Sequence, residues 1–331
     1  MRFRHKRFIC VAALVVAGLS LQAGATKPSV SWSNPHHAYV IFNDPNNRSY
    51  WSVKEISVDK TPGPTRVLGG PRTRFCQLNA LAIGPQGNLY ASGTFGPKCR
   101  YAIEIFAPGA SGNVAPIATI SGPKTDLVNP NGLAFDSAGQ LYVAITNDTS
   151  IPGAINVYAA GATGNVAPVA SIAGPNTTFG ANAPPYVAVD DAGEIFVGQG
   201  EAQVLKFPAG AHGNVAPIAM NTVNSGNGYC ELQSSGSSVY VAVGLLRQRN
   251  PAIYELSTAD LSQTGVLTDH RFTIPCADSD SAGKVYVEDV IRTRAPGGRS
   301  RLFEYEPGSQ QPYRVRDEGL TDTGGYIVVG P

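Results

Sequence analysis

The chain returns again and again to one short apolar phrase. It reads Ala38-Tyr39-Val40, Leu89-Tyr90-Ala91, Leu141-Tyr142-Val143, Ile195-Phe196-Val197, Val239-Tyr240-Val241 and Val285-Tyr286-Val287. Runs this short, β-branched and aromatic, bounded by Gly, Asn, Asp and Pro, predict strands. Every copy after the first follows a turn built on glycine: Gln86-Gly87-Asn88, Ala138-Gly139-Gln140, Ala192-Gly193-Glu194, Gly236-Ser237-Ser238 and Ala282-Gly283-Lys284. Such turns join hairpins. The strands leading into them are predicted at 79–84, 131–136, 186–190, 229–234 and 275–280. A third strand follows at 50–58, 103–106, 155–158, 204–207, 253–256 and 302–305. A fourth is predicted at 65–68, 117–120, 169–172, 218–223, 271–274 and 313–316.

Longer-range repetition fixes how these strands group. Gly112-Asn113-Val114-Ala115-Pro116 recurs from Gly164 and from Gly213, at spacings of 52 and 49 residues. A period of this size marks one supersecondary unit per repeat. Each unit has four strands, but nothing before His37 reads as an inner strand. The tail Gly325-Tyr326-Ile327-Val328-Val329-Gly330 instead matches Ala80-Leu81-Ala82-Ile83-Gly84. The predicted fold is therefore all-β, a six-bladed β-propeller of four-stranded blades closed by the C-terminal strand, which completes the N-terminal blade. The Gly-Asn-Val-Ala-Pro segment itself reads as a loop between third and fourth strands, with no function attached.

The phrase Asn129-Pro130-Asn131-Gly132-Leu133-Ala134-Phe135-Asp136-Ser137-Ala138-Gly139-Gln140-Leu141-Tyr142-Val143-Ala144 resembles an NHL-type repeat of bacterial secreted propellers. The resemblance covers nearly the whole chain after residue 25 at low stringency and implies a six-bladed ring. It does not imply one activity, because NHL-like propellers include binding platforms, lyases and hydrolases. The related gluconolactonase-like propellers bind a divalent metal at the mouth of the channel, which makes calcium the cation to consider here. No residue of this chain maps onto that ligand set.

Composition agrees with the fold and excludes others. Of 331 residues 43% are hydrophobic and 15% charged, and 37 Gly with 25 Pro argue against helix bundles and coiled coils. The apolar content also argues against disorder. Arg2, Arg4, Lys6 and Arg7 precede an apolar stretch from Phe8 to Leu21, and Ala23-Gly24-Ala25 supplies a small-residue cleavage pattern. Residues 1–25 thus read as a secretory signal peptide and 26–331 as a single propeller domain, secreted or periplasmic and without a membrane anchor after cleavage. The formal charge of +1 becomes 21 basic against 24 acidic residues beyond the leader. That balance leaves no polyanion footprint, so a nucleic-acid partner is not expected. A monomer is expected, with a small molecule, a glycan or a protein as the partner.

Beyond Cys10 in the leader, the chain holds Cys76, Cys99, Cys230 and Cys276, an even set that in an exported protein reads as two disulfides. Cys76 enters an inner strand and Cys99 lies between second and third strands of the same blade, so both belong to one face and are expected to pair. Cys230 and Cys276 hold equivalent positions in neighbouring inner strands. Their bridge needs Cα atoms within about 7 Å.

Candidate chemistry comes from departures from the repeat. No phosphate loop, nucleophile elbow or His-Glu-x-x-His is present. Asp278-Ser279-Asp280 superficially resembles a calcium loop, but Ala282 lacks a ligand oxygen and Asp280 matches the turn aspartates Asp136 and Asp190. Glu231 stands where other inner strands carry Leu, Val or Ala, and Asp278 where others carry Ala. A carboxylate there faces the channel or needs a partner such as Arg247 or Arg271. Asn79 and Asn131 begin inner strands on the same face, where they either meet a ligand or cap a loop. Tyr186, Tyr229 and Tyr326 lie nearby as an aromatic rim or as packing between blades. Two readings follow. One is a non-enzymatic binding module working through the face that carries the cysteines, with no cofactor. The other is a metal-assisted hydrolase or lyase of the lactonase type, with Glu231, Asp278 and Asn131 around a channel-mouth cation such as calcium.

Overall fold

The computed structural model describes residues 37–43, 51–58, 65–146, 153–180, 186–200, 202–223, 229–244, 251–272, 275–280, 282–291, 299–317 and 323–330. Side chains are described at all of these except 43, 229, 230, 290, 291, 299, 300, 317 and 323–325. The expected signal peptide lies outside these residues, as does Arg247.

They form six antiparallel sheets of four strands each, the blades of a propeller. From the axis outward, blade 2 is Phe75–Ile83, Leu89–Phe95, Arg100–Phe106 and Ala118–Ile120. Blade 3 is Pro130–Phe135, Leu141–Ile145, Ala154–Tyr158 and Ala170–Ile172. Blade 4 is Tyr186–Val189, Ile195–Gln199, Gln203–Phe207 and Ala219–Thr222. Blade 5 is Tyr229–Ser235, Ser238–Val243, Ala252–Ser257 and Gln263–Leu267, and blade 6 is Pro275–Ser279, Val285–Ile291, Arg299–Tyr305 and Arg314–Asp317. Blade 1 takes its inner strand, Thr323–Gly330, from the end of the chain and the rest from its beginning: His37–Asn43, Trp51–Ser57 and Arg66–Leu68. The closing register pairs Ala38 with Val329, Tyr39 with Val328 and Val40 with Ile327. The ring and its mode of closure are as the repeat pattern predicts.

Each blade is covered on both faces by its neighbours, which is why the strands read as continuous apolar runs rather than as alternations. All five residues of Leu141–Ile145 are buried, as are all five of Ile195–Gln199. At the inner hairpins Gly87, Gly139, Gly193 and Gly283 have φ of 78°, 80°, 80° and 79°, a region that glycine enters without steric cost. The preceding aspartate fastens the turn. Asp280 Oδ1 accepts from the amides of Ala282 at 2.9 Å and Lys284 at 3.0 Å, while Oδ2 accepts from the Tyr286 hydroxyl at 3.2 Å. Asp136 repeats the pattern with Ala138, Gln140 and Tyr142. The calcium-loop resemblance around Asp280 is thus a hairpin turn.

One departure from the predicted strands concerns blade 5. Its outer strand is Gln263–Leu267, not 271–274. Asp269 Oδ1 accepts from the Arg271 backbone amide at 2.9 Å, a tight turn that forbids an extended chain there, and Phe272 packs edge-on against Phe303 at 5.5 Å. The residues that do pair include Gly265, where a Cβ would come within 2.9 Å of Glu255 Oε2.

The Gly-Asn-Val-Ala-Pro loops, expected to be without a role, join blades. Gly164 donates its amide to Thr119 O at 2.6 Å and accepts from Ser121 N at 3.1 Å, and Asn165 Oδ1 accepts from Lys124 N at 2.8 Å. Lys124 lies in a Gly122-Pro123-Lys124-Thr125 turn, closed by Thr125 Oγ1 donating to Gly122 O at 2.7 Å. Gly112-Asn113 makes the same contacts to the turn at 70–73, and Gly213-Asn214 to the turn at 174–177. Each first glycine is required twice over. Gly122 has φ +124°, and a Cβ there would lie 2.5 Å from Asn165 Oδ1. This fastener links blades 1 to 2, 2 to 3 and 3 to 4. The remaining joints use other side chains: Asn221 Nδ2 to Leu261 O at 2.7 Å, Gln310 Nε2 to Val266 O at 3.0 Å, and Arg314 Nη1 to Val58 O at 3.2 Å.

Two stability outcomes follow. Deleting residues 326–331 removes the buried Tyr326, Ile327, Val328 and Val329. At about 2 kcal/mol for each apolar side chain this approaches the whole net stability of a domain. Calorimetry of the truncated chain should show loss of the cooperative transition, and an unchanged melting temperature would refute closure by this strand. Asn165→Ala should cost about 1 kcal/mol, but less in a Gly122→Ala background, where the clash it relieves is already present. Denaturant unfolding of the double-mutant cycle reads that coupling.

Candidate functional site

The six inner strands surround a channel. They begin on the face that we call upper and run to the lower face, where those of blades 2 to 6 lead into the glycine turns. In ring order they belong to blades 1 to 6, each touching the next and blade 6 touching blade 1.

At the upper rim Asn79 and Asn131 are engaged within the framework. Asn79 Nδ2 donates to Pro130 O at 2.9 Å and to Asn129 Oδ1 at 3.3 Å, tying blade 2 to the loop that enters blade 3. Gln77 Nε2 donates to Asn79 Oδ1 at 3.2 Å, and Asn131 Nδ2 donates to Thr146 Oγ1. Tyr229 begins the inner strand of blade 5, with its side chain outside the described residues. Below the rim, Tyr186 of blade 4 meets Tyr326 of blade 1, with ring centroids 6.1 Å apart. These two strands lie on opposite sides of the ring, so the pair bridges the channel. Burial pushes the Tyr186 hydroxyl up to about 12 and that of Tyr326 well above its usual range, with the nearby Glu231 carboxylate adding to both.

The two carboxylates share one strand. Glu231 Oε2 accepts from Ile327 N at 3.5 Å and Asp278 Oδ2 from Val329 N at 2.7 Å, so they cap alternate amides on the inner edge of the closing strand. Gln233 Nε2 donates to Glu231 Oε1 at 3.2 Å, and Ser279 N donates to Asp278 Oδ1 at 2.7 Å. Arg271 is not a partner, since its guanidinium is bound to Asp269. Burial raises the pKa of both acids. Glu231 is held well above the ordinary carboxylate range, with Asp278 as the next contributor, and Asp278 is raised to about 7 against the opposing hydrogen bonds from Val329 and Ser279. Asp278 also lines a cavity of about 120 Å³ that opens between the lower turns, together with Gln233, Ser234, Ser279 and Asp190. Glu231 is sealed above it, 1% exposed. As a cation site the arrangement is poor, because calcium takes about six to eight oxygens. Here both carboxylates are engaged with backbone amides. Among the described residues no three His, Cys, Asp or Glu side chains are grouped to hold a metal.

On the upper face between blades 2 and 3 lies a groove of about 830 Å³. Its wall is the loop at 96–99, fixed by the Cys76–Cys99 disulfide, with Cα atoms 5.6 Å apart, and by Gly96 N donating to Arg74 O at 2.8 Å. This is the first pairing expected from the sequence. Cys276 is also disulfide-bonded, and the side chain of its expected partner Cys230 lies outside the described residues. Arg74 is held at the groove by Glu104, Nη1 to Oε1 at 3.4 Å. Glu104 is buried, which raises its pKa, while the Thr119 hydrogen bond at 2.5 Å and Arg74 oppose that rise. Neither this groove nor the tyrosine bridge was legible in the repeats, which mark equivalent positions and not what fills the space between them. The one available signal was the scarcity of acidic residues from Arg72 to Lys124, where Glu104 stands alone against five Arg and Lys.

With ring, closure and channel in view, the protein is a six-bladed β-propeller of four-stranded blades. No family model matches it, and no curated protein matches it in sequence. Among solved structures it is similar to a Bacteroides caccae protein of unknown function, with a TM-score of 0.54 at 12% identity over 89% of this chain and 99% of that one. It is also similar to the WD40 β-propeller domain of Doa1, with a TM-score of 0.53 at 12% identity over 89% and 86%. The WD40 domain of Toxoplasma gondii coronin gives 0.51 at 10% identity over 89% and 79%. These likenesses concern the fold.

The channel acids set a pH dependence. A carboxyl whose folded pKa is raised holds its proton to higher pH in the folded state than in the unfolded one. Its contribution is therefore full below about pH 4 and is lost as pH climbs toward about 7. Asp278→Asn should flatten the stability curve across that window, at the cost of leaving one of the two amides that Asp278 caps without an acceptor. Urea unfolding at several pH values checks this, and a variant curve parallel to the parent would refute it.

Proposed function

We propose that this chain is an exported, non-enzymatic binding module that engages its ligand on the upper face. The observation that carries the reading is the disulfide-fixed groove beside a channel bridged by Tyr186 and Tyr326. A rigid, preformed surface lowers the ordering cost of binding, while the tyrosine pair obstructs passage along the axis. Export is supported by the leader pattern at residues 1–25 and by a disulfide, which persists in oxidising compartments. The repeat phrase at 129–144 supports a place among NHL-type propellers. No helix among the described residues is long and apolar enough to cross a membrane.

The metal-assisted hydrolase or lyase draws on one observation, that Glu231 and Asp278 converge on the same strand. A thermal-shift screen of the chain from residue 26, with calcium chloride, glycans and peptides, separates the two. Any glycan or peptide shift should persist in Glu231→Gln, because the upper face does not use that carboxylate. A calcium-dependent rise in melting temperature that vanishes in Glu231→Gln would overturn the binding-module reading.

A further inference from the structure

Basic residues outnumber acidic ones on one part of the ring. Arg72, Arg74, Lys98, Arg100 and Lys124 all lie on the upper face of blades 2 and 3, whereas the whole chain has 25 basic and 24 acidic residues. Arg74, Lys98 and Arg100 line the groove, and Lys124 sits between its lining residues Pro123 and Thr125. Among the described residues Arg72, Lys98, Arg100 and Lys124 make no ion pair, and Asp126 is the one exposed carboxylate from residue 66 to residue 135. The cations are therefore available to a ligand, and the disulfide anchors Cys99, which stands between Lys98 and Arg100 in the chain.

The groove also selects among anions. Tyr101, 41% exposed, lines the groove, whereas the apolar floor residues Phe95 and Leu127 are only 3% and 8% exposed. A peptide is anchored by apolar side chains in open pockets, and this floor is closed. Single-stranded nucleic acid stacks successive bases on several aromatics, and the groove exposes one. An exposed aromatic ring in a groove lined by cations suits a sugar ring that carries a carboxylate or sulfate, whose C–H face rests on the tyrosine while guanidinium groups take the acid. We infer that this groove binds an anionic polysaccharide, a uronate or sulfated glycan chain. The inference rests on the upper face being the binding surface and names the class of partner it takes.

The test uses the chain from residue 26 with sodium alginate, and with dextran, polyglutamate and oligothymidylate as comparators, read by calorimetric titration. Alginate should bind, weakening as sodium chloride rises from about 50 to about 300 mM, and dextran should not. The double variant Lys98→Glu, Arg100→Glu should lose alginate affinity by roughly tenfold or more. Tyr101→Ala should lose about fivefold on alginate with no loss on polyglutamate. All three positions are exposed, so unchanged melting temperatures confirm that each variant is folded. Absence of alginate binding by the parent, or equal binding by the variants, would overturn the inference. So would polyglutamate or oligothymidylate binding as tightly as alginate. If alginate fails while another ligand from the thermal screen binds independently of Glu231, the anionic-glycan inference falls and the upper-face reading stands.

Discussion

The pairing of residues 38–40 with residues 327–329 is the contact on which the other blade interfaces depend. A propeller blade buries both faces only if it has a neighbour on each side, so an open ring exposes two sheet faces at once. Here the pairing joins segments almost three hundred residues apart in sequence, a contact with a high loop-closure cost. The structure reinforces it with polar side chains. Glu231 and Asp278 cap the free amides of the last strand from its inner side, Arg314 reaches Val58 from blade 6, and Arg316 reaches Ser57. Two acids buried at a channel are then intelligible as part of closure: each satisfies an amide that the first blade cannot reach.

Around the rest of the ring the interfaces divide into two kinds. From blade 1 to blade 4 an identical backbone and asparagine fastener repeats, and its glycines and asparagines are the most regular part of the sequence. From blade 4 onward the joints are individual side chains, among them the Lys206 ammonium, which donates to Ala259 O at 3.0 Å and pairs with Glu194 at 2.7 Å. A cavity of about 540 Å³ opens between blades 5 and 6 on the lower face, where the repeated fastener is absent among the described residues.

Most of the architecture was legible in the sequence because blade chemistry is local. The glycine turn, the turn aspartate and the tyrosine that binds it recur within a few residues of each other, and a period near fifty residues orders them. Only the outer strand of blade 5 was misplaced, since 263–267 has a weak apolar pattern and a glycine at its centre. The site was less legible. Glu231 and Asp278 stood out as exceptions, but their target, two amides of a strand about fifty to a hundred residues later, has no signature in side-chain type. The same holds for Asn79, whose partner is a carbonyl of the next blade. Gly-Pro-x-Thr is less conspicuous than Gly-Asn-Val-Ala-Pro, although the two recur together and bind each other.

The contact between Tyr186 and Tyr326 changes how the ring behaves as a mechanical object. Without it, six wedges around an open centre form a hoop, which flattens along any diameter at little cost. An aromatic pair between strands of blades 1 and 4 acts as a spoke across one diameter. Ovalisation along that line is resisted by ring contact, leaving the softer modes to the diameters at an angle to it. The upper groove lies between blades 2 and 3, within the arc that this spoke subtends and that the repeated fasteners stiffen. Its width is therefore set by the frame, and a ligand meets a slot of nearly fixed span.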